Sequence, residues 1–176
     1  MQHWLIKFFK HPREIGSIAP SSSGLGRLMT KNIPSSAKIL ELGPGDGAIT
    51  QFIVPKLSNP SQLTLIESNQ ELAQICQNKF PTCNIITADA ETILANDAQL
   101  YDFIISGIPF AGMHADKRNR LFNLIRNRLN DQGSFIMFQY SILTRGELKT
   151  IFKTVTTNFT FWNLPPAFVF TCKKNN

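Results

Sequence analysis

From Lys38 to Thr50 the chain reads Lys-Ile-Leu-Glu-Leu-Gly-Pro-Gly-Asp-Gly-Ala-Ile-Thr, an apolar strand running straight into three alternate glycines and then a helix-like segment. Gly43, Gly45 and Gly47 remove Cβ atoms where the backbone must turn sharply and let it come close to a bulky ligand, and the following helix offers free N–H groups. The spacing is GxGxG preceded by Glu41, not the GxGxxG of dinucleotide sites. The same turn also serves as a tight strand-to-helix connection that binds nothing. The next apolar strand, Leu63-Thr64-Leu65-Ile66, ends in Glu67-Ser68 about one βαβ unit further on. A carboxylate at a strand's C-terminal end suits two vicinal hydroxyls of a ribose. It equally suits the first turn of a helix over 70–79. A third strand, 84–88, ends in Asp89-Ala90, where Asp89 has two uses: accepting from an adenine amino group, or capping the helix that begins near Glu91.

Apolar runs at 38–42, 63–67, 84–88, 101–106, 133–139 and 165–171, with helical patterns near 48–57, 69–79, 116–129 and 145–153, predict an alternating α/β chain. Phe103-Ile104-Ile105 and Phe135-Ile136-Met137-Phe138 lack polar alternation, as central strands covered on both faces do. The length, 176 residues with 43% hydrophobic, suits one doubly wound domain over 37–176 preceded by a segment of different composition over 1–36. Cys76, Cys83 and Cys172 form no CxxC pair and no even set, so reduced structural thiols are expected. His3, His11 and His114 show no ligand spacing, and no metal is expected. No apolar run approaches the roughly 20 residues that cross a bilayer, and no secretory leader is legible, which predicts a cytoplasmic chain.

The N-terminal segment places Trp4, Leu5, Ile6, Phe8 and Phe9 on one helical arc and His3, Lys7, Lys10 and His11 on the other, before Pro12 ends the helix. Such a helix either sinks its aromatics into a headgroup boundary, with Lys7, Lys10 and Arg13 on anionic lipid, or packs them on the sheet domain. A turn over 18–24 precedes a second helix containing Leu25, Leu28 and Met29. The net charge of +6 suits nucleic acid and lipid phosphates alike. Lys117, Arg118, Arg120, Arg126 and Arg128 share one segment, which is either a solvated helix face or a phosphate dock, and no aromatic single-strand platform accompanies them.

Glu41–Gly47 resembles the first motif of class I S-adenosylmethionine-dependent methyltransferases. Together with residues 8–22 (Phe-Phe-Lys-His-Pro-Arg-Glu-Ile-Gly-Ser-Ile-Ala-Pro-Ser-Ser), Ser106-Gly107-Ile108-Pro109-Phe110 and residues 163–170 (Asn-Leu-Pro-Pro-Ala-Phe-Val-Phe), the chain is similar to the bacterial phospholipid N-methyltransferase family over nearly its whole length. The loop is common to all class I methyltransferases, whereas the first and last blocks are specific to this group. The resemblance implies a Rossmann-like α/β fold: a mostly parallel seven-stranded sheet with an antiparallel C-terminal strand, helices on both faces and an amphipathic N-terminal extension. It implies S-adenosylmethionine as donor, with S-adenosylhomocysteine as product. The acceptor it implies is phosphatidylethanolamine or its partly methylated forms. A monomer peripheral to the inner face of a bacterial plasma membrane is expected, held by Trp4, Lys7, Phe8, Lys10 and Arg13.

The rRNA adenine dimethyltransferases share the loop but carry Asn-Leu-Pro-aromatic where this chain has Ser106–Phe110. The missing amide argues against a base acceptor. The few residues after the last strand run argue against that group's C-terminal helical domain, so no specific nucleic acid is expected. Another amine, such as an ornithine-type lipid or a nucleobase, stays open, as does a non-catalytic adaptor.

Methyl transfer to an amine needs alignment of a lone pair and exclusion of water, not a covalent nucleophile. Partial desolvation lowers the amine's pKa, and a nearby acceptor takes the proton. The expected acceptor loop is Ser106, Gly107, Ile108, Pro109 and Phe110, with Phe110's ring facing the amine and Pro109 fixing the loop. Tyr140 is a further candidate, or else a strand-end core aromatic. The expected cofactor contacts are Glu41, Gly43, Gly45, Gly47, Glu67, Ser68, Asp89, Ala90 and Ser106.

Overall fold

The computed structural model describes residues 23–174 apart from Trp162 and Leu164. The amphipathic helix expected over 1–13, with Trp4, Lys7, Phe8, Lys10 and Arg13, lies outside the described residues, as does the block over 8–22.

The described chain opens with helix α1 (Ser23–Thr30), whose Leu25 and Met29 are buried against the sheet. Strand β1 (Ile39–Leu42) is buried throughout. A short helix α2 (Thr50–Ile53) runs on into a 3₁₀ turn at Val54–Lys56, where Pro55 ends the α geometry expected to reach residue 57. Then come β2 (Leu63–Glu67), α3 (Gln70–Lys79), β3 (Asn84–Thr87), α4 (Ala90–Asn96), β4 (Tyr101–Ser106), α5 (Ala115–Asn127), β5 (Leu129–Gln139), α6 (Arg145–Ile151), β6 (Thr154–Thr160) and β7 (Ala167–Lys173).

The seven strands form one sheet in the order β3-β2-β1-β4-β5-β7-β6. Strands β1 to β5 pair in parallel, and β7 runs antiparallel to both β5 and β6. This is the architecture the family resemblance implies. Alternation along the central strands sends Ile39, Ile105, Ile136, Phe138 and Val169 to one face and Leu40, Ile104, Phe135, Met137 and Phe170 to the other. α1, α2 and α3 cover the first face, and α4, α5 and α6 cover the second through Leu94, Leu121, Phe122, Ile125 and Leu148. Each fully buried Leu, Ile or Phe contributes about 1.5–3 kcal/mol by leaving water, which is what holds three layers together.

β6 escapes the apolar runs because it is the sheet edge. Its Thr-Val-Thr-Thr-Asn-Phe-Thr buries alternate positions at most and keeps polar residues toward water. The basic segment of α5 is largely consumed by the fold. Arg118 forms a two-pronged ion pair with Glu147, Arg120 and Lys117 reach Glu91, and Arg128 Nε donates to Leu94 O at 2.8 Å. These contacts stitch α5 to α4 and α6. All three cysteines are free and buried.

Candidate active site

β1, β2, β3, β4 and β5 end on the same edge of the sheet, with β1 and β4 adjacent although β2 and β3 intervene in sequence. The sheet reverses direction of winding there, and the crevice beyond such a point is where open α/β sheets bind ligands. The loop after β1 fills it. Gly43, Gly45 and Gly47 adopt φ of +66°, +61° and +87°, a region that costs L side chains about 1–2 kcal/mol each. A Cβ on Gly47 would run 2.4 Å from the Phe80 ring, whereas a Cβ on Gly45 would meet nothing within 4 Å. The loop is thus packed from below and open at its middle glycine.

Glu67 closes one side. One carboxylate oxygen accepts from Gly45 N at 3.1 Å and the other from Asn69 N at 2.9 Å, at 7% exposure. Each oxygen keeps a lone pair for a hydroxyl at the mouth. Asn69 caps α3 by accepting from Leu72 N, so Ser68 is held in a short link between Glu67 and the helix start. Asp89 caps α4. Its Oδ1 accepts from Glu91 N at 2.9 Å and Thr92 N at 3.2 Å, and no hydrogen bond among the described residues uses Oδ2. The capping reading of Asp89 is therefore real, and it leaves one carboxylate oxygen beside Ala90 at the sheet edge.

Glu41 lies beneath the loop at 1% exposure, where Thr50 Oγ1 donates to its carboxylate at 2.8 Å. Burial, offset in part by Thr50 and reinforced by Glu67, pushes its pKa to about 8. Among the described residues its side-chain hydrogen bond is the one from Thr50, and almost none of its surface is exposed. Cys76 also belongs to this floor, its thiol donating to Gly45 O at 3.2 Å.

The segment after β4 meets the glycine loop directly. A Cβ on Gly107 would stand 2.7 Å from Gly43 O, so only glycine lets the two loops abut. Ser106 is fully buried, its hydroxyl donating to Leu42 O at 3.3 Å and accepting from Ile108 N at 3.1 Å. It ties the loop to β1, with its hydroxyl spent on hydrogen bonds within the fold. One expectation is corrected at Phe110. Its ring is wholly buried, 4.8 Å from Phe122 and 6.1 Å from Phe135 by centroid, because the 3₁₀ turn Phe110–Gly112 carries it into the α5 side of the core. The aromatic face does not point at an amine.

Two residues that sequence reasoning missed complete the wall. Gln139, the last residue of β5, is buried and clamps the loop at both ends: Nε2 donates to Ile108 O at 2.8 Å, and Oε1 accepts from Ala111 N at 3.2 Å. Asn163, buried in the β6–β7 connection, donates to Pro165 O at 2.8 Å and hydrogen-bonds the Tyr140 hydroxyl. Burial pushes the Tyr140 hydroxyl above its ordinary pKa, and Asn163 offsets part of the shift. Tyr140 therefore stays a neutral phenol across the physiological range. A glutamine closing an apolar strand run and an asparagine opening a Pro-Pro turn were the available signals.

Among the described residues no group of His, Cys, Asp or Glu is placed to hold a metal ion, and no helix is long and apolar enough to cross a membrane. A glycine loop open at its centre, a carboxylate with spare lone pairs one strand away and a capping aspartate two strands away fit a nucleoside-containing cofactor. The model of the methyltransferase domain matches residues 39–133, more than half of the chain. The chain belongs to the methyltransferase-domain family. Membership makes it an S-adenosylmethionine-dependent methyltransferase of the class I fold.

Within the methyltransferases, an ornithine lipid N-methyltransferase of Singulisphaera acidiphila is 27% identical over 97% of this chain and 94% of its own length. A ribosomal RNA small subunit methyltransferase A of Chlorobium chlorochromatii is 29% identical over 61% of this chain and 40% of its own. Among solved structures, the 1,6-didemethyltoxoflavin N1-methyltransferase of Burkholderia thailandensis has a TM-score of 0.74 at 12% identity, covering 99% of this chain and 87% of that one. An N-methyltransferase of Bradyrhizobium japonicum has a TM-score of 0.67 at 13% identity, covering 93% and 86%. At these identities the two structures bear on fold alone.

Proposed function

We propose that this methyltransferase N-methylates the amine of a membrane lipid headgroup. The observation that carries the reading is the match over 97% of the chain to a protein named for ornithine lipid N-methylation, against 61% for the rRNA enzyme. The site supports it, because the wall after β4 carries Ser106-Gly107 where the rRNA adenine dimethyltransferases carry an asparagine amide, and Gly107 is required there by its contact with Gly43. Phosphatidylethanolamine and ornithine lipid both present a primary amine beside an anionic or polar headgroup. The named relative supports the second and the block resemblance the first.

The cofactor supplies an activated methyl on sulfonium. Glu67 takes the ribose hydroxyls on its spare lone pairs, and Asp89 and Ala90 meet the adenine edge while Asp89 keeps α4 capped. Gly43, Gly45 and Gly47 bring bare backbone to the methionine portion, and the Cys76 thiol holds that backbone at Gly45 O. On the acceptor side, the carbonyls of Ile108, Pro109 and Phe110 each accept a hydrogen bond within the fold. Among the described residues no hydrogen bond reaches Gly107 O, which leaves it to accept from the amine. Tyr140 Oη, neutral and oriented by Asn163, is a second acceptor at the same edge. These two acceptors orient the amine's lone pair in line, and desolvation by the Ile108-Pro109 wall favours its uncharged form. The test is mass spectrometry of lipids from cells producing the chain. Headgroup masses rising in methyl steps support the reading, and an unaltered lipid profile from a folded, cofactor-binding protein overturns it.

A further inference from the structure

Four of the five large hydrophobic side chains exposed among the described residues gather at one edge: Ile142 (49%), Leu143 (75%), Phe159 (44%) and Phe161 (78%). The fifth, Leu100, precedes β4 at the opposite edge. Gln139, Phe168 and Phe159 lie level across β5, β7 and β6, so the residues just beyond them leave the sheet side by side, two strand spacings or roughly 10 Å apart. The hydrogen bond between Tyr140 and Asn163 ties the two connections together. Ile142 and Leu143 follow Tyr140, and Phe161 precedes Asn163, with the Phe159 and Phe161 rings packed edge to face at 4.6 Å. The apolar rim therefore stands beside the acceptor wall.

Charge identifies what covers it. From residue 132 to 176 the only acidic side chain is Glu147, and Arg118 neutralises it. Arg145, next to the Ile142-Leu143 tip, spends its Nε on Thr157 Oγ1 and has no carboxylate partner among the described residues. Large apolar side chains flanked by an unneutralised cation match the interface of an anionic bilayer.

We infer that Ile142, Leu143, Phe159 and Phe161, with Arg145, form a bilayer-docking rim that seats the acceptor wall on the membrane, independently of residues 1–22. The inference rests on the lipid-amine reading and explains how that site reaches a headgroup: with the rim in the headgroup boundary, the amine enters from below without the lipid leaving its leaflet.

The experiment compares the full chain with the triple variant Ile142→Ser, Leu143→Ser, Phe161→Ser, whose exposed positions carry little folding cost. Co-sedimentation uses vesicles of phosphatidylglycerol and phosphatidylcholine in equal parts. Partitioning of the variant should fall roughly tenfold or more, since each buried apolar side chain alone accounts for about that factor. Arg145→Gln should lose binding at low salt and little at high salt. Methylation of a short-chain, water-soluble phosphatidylethanolamine or ornithine lipid should be unchanged while methylation of vesicle lipid drops. Unchanged vesicle partitioning overturns the rim, as does equal loss on soluble and vesicle acceptors. So does a wild-type dimer in lipid-free solution that the triple variant converts to monomer, which would make the edge a contact between copies. Absence of methylation on every lipid, with the tenfold loss of partitioning intact, sinks the lipid-amine reading and leaves the rim standing.

Discussion

Glu41 and Glu67 are both carboxylates ending apolar runs, yet the fold gives them opposite work. Glu67 at the mouth keeps lone pairs for ligand, and Glu67→Ala should weaken S-adenosylmethionine binding by roughly 1–3 kcal/mol in calorimetry, the range for hydrogen bonds to a charged group. Unchanged affinity in a folded variant would remove Glu67 from the cofactor site. Glu41 has a folded pKa of about 8 against an ordinary 4.5. The folded chain therefore holds more protons than the unfolded chain between those values, and stability falls as pH rises through that window. Glu41→Gln abolishes this titration, so its urea midpoint should gain on the wild type from about pH 4.5 to about pH 8 and run parallel beyond. Parallel curves throughout would show that Glu41 is already charged in its buried place.

The loop after β4 owes its shape to neighbouring elements more than to its own residues. Gly107 accommodates β1's loop, Ser106 binds β1, and Gln139 of β5 grips Ile108 and Ala111. Gln139→Leu leaves a buried carbonyl and amide without that partner, which should cost about 1–3 kcal/mol of stability. Beyond stability, it should lower kcat for methyl transfer while cofactor affinity holds, because the clamp touches only the acceptor side. Gln139→Glu keeps the Ala111 contact and should recover part of kcat. Unaltered turnover in Gln139→Leu would exclude the clamp from positioning the acceptor. Strands β1, β2, β4 and β5 were legible because apolar residues dominate each run despite Glu41 in β1, Thr64 in β2 and Asp102 in β4, and the glycine loop because its spacing is so constrained. β6 was not, since an edge strand of threonines looks like a turn-rich polar segment. The burial of Phe110 was equally hidden: which way an aromatic turns after a strand depends on α5, distant in sequence until the sheet is assembled.

At the scale of the whole molecule, the sheet places every ligand-facing loop, the Tyr140–Asn163 pair and the apolar rim on a single edge. The central claim is that a lipid amine meets the cofactor there. Purified full-length protein given labelled S-adenosylmethionine, vesicles containing phosphatidylethanolamine and ornithine lipid, and ribosomal RNA in one reaction tests it most directly. Label appearing in lipid headgroup amines, and not in RNA, is the predicted result; label in RNA adenines with none in either lipid would contradict it.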